Sequence, residues 1–526
     1  MRKSVFIAAI CTLACIATAA DAAAAKKTTH SKTTTTASKT TTTASKITTT
    51  APPATSCTGT FSNGVSINVS NPSYMADVGY PYPKVQGVPA ISGAAQTVCD
   101  LHTFAWNQFL YYTQTAAGQS TPRFMQLAPW YNVLTTGAKP GAYPGGSTAL
   151  QTAYLDLNQA GDGDELLDVK GNAVRYDIRF DINMYNSIVM QNLYSQAGYN
   201  SVCKPNPSNN NLCANNNIWM TPAGANESPE PGSIEVKTAW RDFLTPANCP
   251  SSQYFCQGRF GLIGLHYVNK TFSHGEWIWA SFEHVANAPD CAPGGSSPIG
   301  ANSPTGQPWS LFDPSTVPPG VMSSQTCSVT AANPQCNTNP NPSGDGKTWV
   351  KANICRTDML AAGGASQANC QTPGTNNAGN VACLNATIMP KLSGVWKNYE
   401  LVGTLWTKPT IGPNNDFRIQ IFQSQVNGLP YVAPVGFTHL ANTAIETWLQ
   451  MNSLSYDPDG NNGSQAGCFA CHHEPSSATQ VDLSHFPGKL PSATITALKS
   501  SLIPANSTAA PNHMVSKRPA VRKPAN

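Results

Sequence analysis

Charged residues are scarce in this sequence, since Asp, Glu, Lys and Arg make up 11% of its 526 residues. Typical soluble domains hold about a quarter, and coiled coils and helical repeats need many charges on their exposed faces. The composition therefore excludes both of those classes. Hydrophobic residues reach 40% and aromatic residues 9%, which excludes a wholly disordered chain, and the 40 glycines and 42 prolines indicate many loops.

Basic charge is in deficit once the two ends of the chain are set aside. Residues 1–52 hold seven Lys and Arg against one acid, and residues 513–526 hold four against none. Removing both tails from the totals of 31 and 27 leaves 20 basic and 26 acidic residues, a net charge of −6. Nucleic-acid-binding domains carry a basic patch on the fold itself, so we expect no nucleic-acid partner.

Long apolar runs are confined to the first residues. Arg2 and Lys3 precede the apolar stretch Val5–Ala19, and this pattern predicts that residues 1–25 are a secretory signal peptide. An uncleaved membrane anchor and a lipoprotein signal at Cys15 are the alternatives. No other stretch is long and apolar enough to cross a bilayer. We therefore expect an exported protein, periplasmic or secreted, with no transmembrane segment after signal cleavage.

Two low-complexity segments flank the body of the chain. Residues 26–53 are rich in Thr, Lys and Ser, and residues 504–526 are basic. Neither has an apolar face to bury, so both are predicted to be disordered, the first as a tether or spacer. Between them we expect a mainly β or α+β domain over residues 54–432 and a small helical domain over residues 433–503.

Alternation of apolar and polar residues defines the larger domain. Val174–Ile182 alternates Val, Tyr, Ile and Phe with Arg and Asp, which is typical of a strand. Similar patterns predict strands at Ile234–Trp240, Gly261–Val268, Glu276–Glu283, Tyr399–Trp406 and Phe417–Phe422. Helical spacing predicts helices at Thr97–Tyr112 and Met184–Ala197.

The sixteen cysteines agree with export. Two lie in the signal and two in a motif described below, which leaves an even number that could form six disulfides in an oxidising compartment. Several lie in the polar loops 201–232, 286–347 and 361–385, where crosslinks would brace the chain. Local pairing is one possibility, at Cys203–Cys213, Cys249–Cys256 and Cys327–Cys336.

The predicted helical domain begins with an apolar stripe at helical spacing, after a possible cap at Thr438. The stripe consists of Leu440, Ala441, Ala444, Ile445, Trp448 and Met451. A second short helix is predicted near Ser492–Leu502. Between them stands Cys468-Phe469-Ala470-Cys471-His472.

This C-x-x-C-H pattern is the attachment signature of c-type haem. Two thiols at this spacing can each form a thioether with one vinyl group of the porphyrin, and the following histidine supplies a nitrogen ligand to the iron. The pattern predicts one haem c per chain, held by Cys468 and Cys471 with His472 as the proximal ligand. A disulfide or thioredoxin-like C-x-x-C is the alternative, but the βαβ setting that thioredoxins need is missing.

Several further segments are shared with a known group of proteins. They are Trp106–Phe109, Ile234–Arg241, Trp277–His284, Tyr399–Thr404 and Ala441–Thr447. On these segments and the Cys/His motif, the chain resembles secreted bacterial proteins described as cytochrome c family proteins, which carry a single haem-attachment site near the C-terminus. The resemblance covers roughly residues 95–490. It implies haem binding and electron transfer, and it names no substrate.

The ligand on the other side of the iron separates an electron carrier from a catalyst, because a methionine there leaves no open position. The only methionine after the motif, Met514, lies in the predicted disordered tail. Met451 and His485 are therefore the distal candidates. A core position for Met451 and a surface or capping role for His485 are the alternatives. Weaker candidates are His439, His266 and His284.

Polar residues in the predicted strands offer a second site. Glu235 and Lys237, with Arg241 nearby, belong to one strand, and His266 and Glu283 belong to two others. If the strands pair, Glu235, Lys237, His266 and Glu283 could converge on a pocket that moves protons or holds a substrate. The alternative is a set of ion pairs at strand ends.

These features favour an exported mono-haem c-type cytochrome that exchanges electrons with a redox partner protein. A haem-dependent oxidoreductase that acts on a small molecule in the large domain is the second hypothesis. A non-haem, disulfide-rich binding protein is the third. Phosphate-binding glycine loops and the G-x-S-x-G pattern are absent from the sequence, so a nucleotide-binding protein or a serine hydrolase has no support.

Overall fold

The computed structural model describes residues 57–62, 64–75, 97–134, 136–144, 150, 155–156, 166–202, 220, 232–243, 260–271, 274, 277–290, 302–316, 351–356, 377–407, 420–421, 431–432, 434–436, 440–447, 468, 472 and 484–490. The predicted signal, tether and tail lie outside these residues. So do the predicted cap at Thr438 and the predicted helix near Ser492–Leu502.

The α-helices among the described residues are α1 Val98–Thr113, α2 Tyr131–Leu134, α3 Ile182–Met190, α4 Gln196–Val202 and α5 Asn377–Ile388. A capping box fixes the start of α1, because the Thr97 side chain accepts from the Asp100 amide while the Asp100 carboxylate accepts from the Thr97 amide. This helix confirms the prediction at Thr97–Tyr112. Within the described ranges, no helix has both the length and the apolar character needed to cross a membrane.

The second predicted helix, Met184–Ala197, was wrong at both ends. Helix α3 starts earlier because Asp181 caps it, accepting from the amide of Met184 at 2.9 Å. It ends at Met190 because Asn192 adopts the left-handed conformation, with φ of 58°.

The strands are β1 Ala128–Pro129, β2 Val174–Phe180, β3 Ile234–Asp242, β4 Phe260–Asn269, β5 Ile278–His284, β6 Tyr399–Thr407, β7 Gln420–Ile421, β8 Tyr431–Val432 and β9 Pro434–Gly436. Seven of them form one antiparallel sheet in the order β1-β2-β3-β4-β5-β6-β9. Strands β7 and β8 form a separate parallel pair. The sheet and its helices confirm the α+β class and the five longer predicted strands. Of the predicted strand Phe417–Phe422, only β7 is described.

One face of the sheet packs against α1. Phe282 of β5 stacks on Phe109 with ring centroids 4.3 Å apart, and Trp106 meets Phe282 edge-on at 5.0 Å. The Trp106 indole N–H donates to the side-chain oxygen of Asn385 in α5, which also accepts from the backbone of Leu401 in β6. All five side chains are buried, so α1 and α5 are fixed to the middle of the sheet.

Disulfides brace the described part of the chain, as the cysteine content predicts. Cys57 is bonded to Cys99 in α1, and Cys355 and Cys383 are also disulfide-bonded. Cys383 lies inside α5, whereas the sequence predicts a loop there. The local pairs proposed from the sequence lie outside the described residues.

The polar side chains of β2 are buried along with its apolar ones. Arg175 pairs with Asp242 at 2.9 Å, and Arg179 pairs with Asp177 at 2.6 Å. A guanidinium nitrogen of Arg179 also donates to the carbonyl of Met125 at 2.6 Å. Buried charges are tolerated when they are paired and hydrogen-bonded, so this strand alternates in sequence without exposing a face.

The opposite face of the sheet is covered by described residues from 440–490. The Tyr176 hydroxyl of β2 donates to the carbonyl of Ala444 at 2.8 Å. The Asn442 side-chain amide donates to the Ser281 hydroxyl at 3.0 Å and to the Phe282 carbonyl at 2.8 Å. Residues of the two predicted domains therefore share one interface.

Where the sequence predicts an α-helix, the described segment 440–447 forms a turn that leads into a 3₁₀-helical residue at Thr447. The Asn442 side-chain oxygen accepts from the amide of Ala444 at 2.8 Å, and the Asn442 carbonyl accepts from the amide of Glu446 at 2.9 Å, bonds that a capping residue makes where a helical turn begins. The stripe residues in this segment are buried, as predicted: Leu440, Ala441, Ala444 and Ile445. Trp448 and Met451 lie outside the described residues.

Candidate functional site

The candidate site lies on the sheet face that residues 440–490 cover. The register of β3 and β4 places Lys237 opposite His266 and Glu235 opposite Val268. Directly opposed residues of an antiparallel pair point to the same face. The strand pairing thus brings together three of the four side chains that the sequence singles out.

A register shift between Ala239 and Trp240 bounds the site along β3. Beyond the shift, Leu262 packs with the core beside α1, although simple alternation places it on the face of His266. Arg241 also lies beyond the shift, where its guanidinium binds the Asp168 carboxylate at 2.9 Å. Arg241 is therefore not part of the group around Lys237.

Glu235 connects β3 to the segment that follows the Cys/His motif. Its half-buried carboxylate accepts a hydrogen bond of 2.6 Å from the hydroxyl of Ser484. Burial raises the pKa of Glu235, against the lowering effects of the Ser484 bond and of the Lys237 charge. Since Ser484 precedes His485, this bond holds His485 close to the sheet.

His266 forms a histidine–carboxylate pair. It is buried, and its Nε2 lies 3.3 Å from a carboxylate oxygen of Glu446. The same oxygen accepts from the amide of Asn442 at 2.9 Å, which orients the carboxylate. A histidine that faces a carboxylate at this distance can exchange a proton with it. The sequence did not single out Glu446, because the apolar stripe around it predicts a helix with this residue on the outside.

Lys237 lies on the same sheet face, and the charges of both acids act on it. Its half-buried ammonium is 5.3 Å from the ring centroid of Tyr176. Burial lowers its pKa to about 8, although the charge of Glu446 acts in the opposite direction. Lys489, a further cation, forms an ion pair with Asp156.

His472 of the Cys/His motif lies on the same sheet face. Its ring centroid is 4.4 Å from that of Trp279 in β5 and 4.4 Å from that of His485. Cys468 is half-buried and packs against the hydrophobic core. The structure therefore places the predicted proximal histidine next to one of the two predicted distal candidates. Cys471 and Met451 lie outside the described residues.

Glu283, the fourth predicted site residue, belongs to a separate buried group. One carboxylate oxygen binds Arg356 Nε at 2.6 Å, and the other accepts from the amide of Thr443 at 2.9 Å. Arg356 also pairs with Asp290 at 2.6 Å and with Glu400 at 2.8 Å. Three carboxylates thus share one guanidinium. For Glu283, the structure therefore agrees with the alternative of a set of ion pairs. The shared cation, Arg356, lies in no motif that the sequence reveals.

His284 and His439 do not contribute to the described face. Burial, assisted by the charge of Arg241, lowers the pKa of His284 to about 4. Its ring meets that of Tyr399 edge-on at 5.2 Å, and Tyr399 belongs to the core beside α1. His439 lies outside the described residues.

Among the described residues, no group of three or more His, Cys, Asp and Glu side chains is arranged to hold a metal ion. No protein-family model matches the chain, no curated protein is similar to it, and no solved structure matches it. Its function therefore has to be inferred from its own residues.

Proposed function

We propose that the protein is an exported mono-haem c-type cytochrome that transfers electrons. Cys468 and Cys471 would hold the haem through thioethers, and His472 would be the proximal iron ligand. The sequence C-x-x-C-H carries this proposal, because its spacing suits two vinyl groups and one axial nitrogen. The predicted signal peptide supports it, since thioether attachment takes place outside the cytoplasm.

The surroundings of His472 are compatible with such a group. Its imidazole has the Trp279 ring and the His485 ring as neighbours, each with centroids 4.4 Å away. Cys468 contributes to the edge of an apolar core, where a porphyrin would bury its own apolar surface. When bound, haem would supply a one-electron donor and acceptor.

We favour His485 over Met451 as the distal ligand. The proximity of the two histidine rings, with centroids 4.4 Å apart, is the observation behind this choice, and the rings would move apart for an iron and its porphyrin to lie between them. Ser484 anchors the chain beside His485 through its bond to Glu235, which restricts the positions that the imidazole can reach. Bis-histidine ligation would leave no open position and suits an electron carrier. The partner would be a redox protein.

The test uses the exported full-length chain, produced in a host that attaches haem c. We expect haem to remain with the protein after acid-acetone extraction and to give a pyridine haemochrome spectrum. The Cys468→Ala/Cys471→Ala double variant should lose this spectrum. His472→Ala should change the Soret band of the native protein. His473→Ala is the matched control, because it removes the imidazole next to His472 in the sequence. This variant should leave the Soret band unchanged. A wild-type chain without covalent haem would overturn the proposal and favour a disulfide-rich binding protein.

A haem-dependent oxidoreductase is the second candidate. The acid–base group of Glu235, Lys237, His266 and Glu446 favours it, since an electron carrier needs no such group beside its redox centre. Cyanide or carbon monoxide separates the two functions. A closed six-coordinate carrier resists both ligands, whereas a catalyst with an open iron position binds them.

A further inference from the structure

Lys237 differs from an ordinary surface lysine in its environment. It lies on the sheet face opposite His266 and beside the Tyr176 ring. Within the described part of the chain, no carboxylate comes within ion-pair distance of its ammonium. An ammonium in such a place loses hydration and gains a cation–π contact with the Tyr176 ring in return, without an ion pair to any described carboxylate. Its pKa of about 8 reflects that burial, and lysines of this kind serve as nucleophiles and general bases.

Proton-transfer groups surround this amine. His266 lies directly across the strand pair, and its Nε2 is 3.3 Å from the Glu446 carboxylate. Glu235 lies two residues before Lys237, on the same face of β3. An amine with an acid and a base beside it is the arrangement that carbonyl condensation needs.

We propose that Lys237 is a nucleophile that forms an imine with a small, uncharged aldehyde or ketone, with His266 and Glu446 transferring the protons. The Nζ lone pair attacks the carbonyl carbon, and a carbon–nitrogen bond forms as the carbonyl π electrons move to oxygen. The two protons lost from Nζ pass through Glu446 and His266 to that oxygen. The oxygen leaves as water when the carbon–nitrogen double bond forms. No oxidant or reductant is consumed.

The charges around Lys237 select the class of carbonyl compound. Glu235 and Glu446 lie on the same face, and Asp156 adds a third carboxylate nearby, while Lys489, the partner of Asp156, adds one positive charge. Because the carboxylates outnumber this cation, the group repels an anionic substrate such as a keto acid. The Tyr176 ring offers an apolar surface for a short carbon chain. This inference does not depend on haem.

The test compares labelling rates in the full chain. Propanal with cyanoborohydride at pH 7 converts each imine into a stable propylamine, which peptide mass spectrometry locates. With a pKa of about 8, about one Lys237 in ten is unprotonated at that pH, against about one in 2,500 for an ordinary lysine. Allowing for the weaker nucleophilicity of a less basic amine, we expect labelling at least about tenfold faster than at the exposed Lys391 and Lys397.

The Glu446→Gln variant distinguishes proton transfer by Glu446 from the reactivity of an unprotonated lysine alone. Loss of the Glu446 charge would lower the pKa of Lys237 further, so simple reactivity would increase. If Glu446 transfers the proton, labelling at Lys237 slows by about fivefold or more, while labelling at Lys391 is unchanged. Glyoxylate, an anionic probe, should label Lys237 less than propanal does, relative to Lys391. Equal rates at Lys237 and Lys391 in the wild-type protein, or faster labelling in Glu446→Gln, would overturn the proposal.

Discussion

Glu400 makes stability fall as pH rises, because the folded protein holds its proton more tightly than the unfolded chain does. Burial raises the pKa of Glu400 from 4.5 to about 7; Arg356 acts against this shift, and the charges of Glu283 and Asp290 add to it. Its side chain is 16% exposed. Between pH 4.5 and pH 7 the folded state therefore binds more protons than the unfolded state, so the free energy of unfolding decreases as pH rises.

The size of this effect follows from the shift. At about 1.4 kcal/mol per pKa unit, the change from 4.5 to about 7 corresponds to a loss of about 3 kcal/mol across that range. Glu400→Gln removes the titration and keeps an oxygen that can accept from Arg356. We expect the wild-type protein to lose about 3 kcal/mol relative to this variant between pH 4.5 and pH 7.5.

Urea unfolding with intact disulfides, followed by tryptophan fluorescence at several pH values, measures this difference. Asp313→Asn is a charge-matched control, because it removes one carboxylate that lies outside the Arg356 group. Groups away from the Arg356 cluster keep their surroundings in all three proteins, so their contributions cancel. A Glu400→Gln curve parallel to the wild-type curve would show that the folded protein does not hold the Glu400 proton more tightly than the unfolded chain does.

Three further perturbations test the fold and the proposed haem site. In haem-loaded protein, His485→Ala should shift the Soret band and the midpoint potential while Met451→Ala leaves both unchanged, and the reverse result would assign Met451 as distal ligand. Gly264→Val should lower stability by about 1–3 kcal/mol in urea unfolding, because a Cβ there would lie 3.1 Å from the Asn442 side-chain oxygen; an unchanged midpoint would contradict this close packing. Phe282→Ala should cost about 3–5 kcal/mol by leaving a cavity beside α1, and a loss below about 1 kcal/mol would show that the stacked core is not as described.

Local patterns were sufficient to predict much of the sheet. Alternation marks the five longer strands because successive side chains of a strand point to opposite faces of the sheet, even where both faces are buried. The meeting of Glu235, Lys237 and His266 was also predictable, since β3 and β4 are consecutive strands and consecutive strands usually pair. The end of α3 was not predictable. The helical spacing of apolar residues continues past Asn192, and only the backbone conformation of Asn192 stops the helix.

Contacts between distant segments were beyond the reach of these patterns. Arg356 binds Glu283 across 73 residues, and no periodicity marks a residue in an irregular segment as the partner of three carboxylates. Glu446 was missed because the apolar stripe places it on the polar side of the segment, and spacing does not reveal that this side faces His266. Leu262 was assigned to the wrong face of the sheet, because the register shift between β3 and β4 reverses the alternation of faces beyond it. A single sequence does not reveal where a strand gains an extra residue.

The coverage of the sheet by residues 440–490 has a consequence for the order of folding. Ser484 bonds to Glu235 over 249 residues, and Ala444 accepts from Tyr176 over 268. During synthesis the chain emerges from its N-terminal end, so the strands that receive these residues are complete before the Cys/His motif exists. Closing such long loops is slow. A nascent chain thus passes through a stage in which Trp279 and the charged residues beside it face solvent, and chaperones or proteases can reach that surface until the last segment docks.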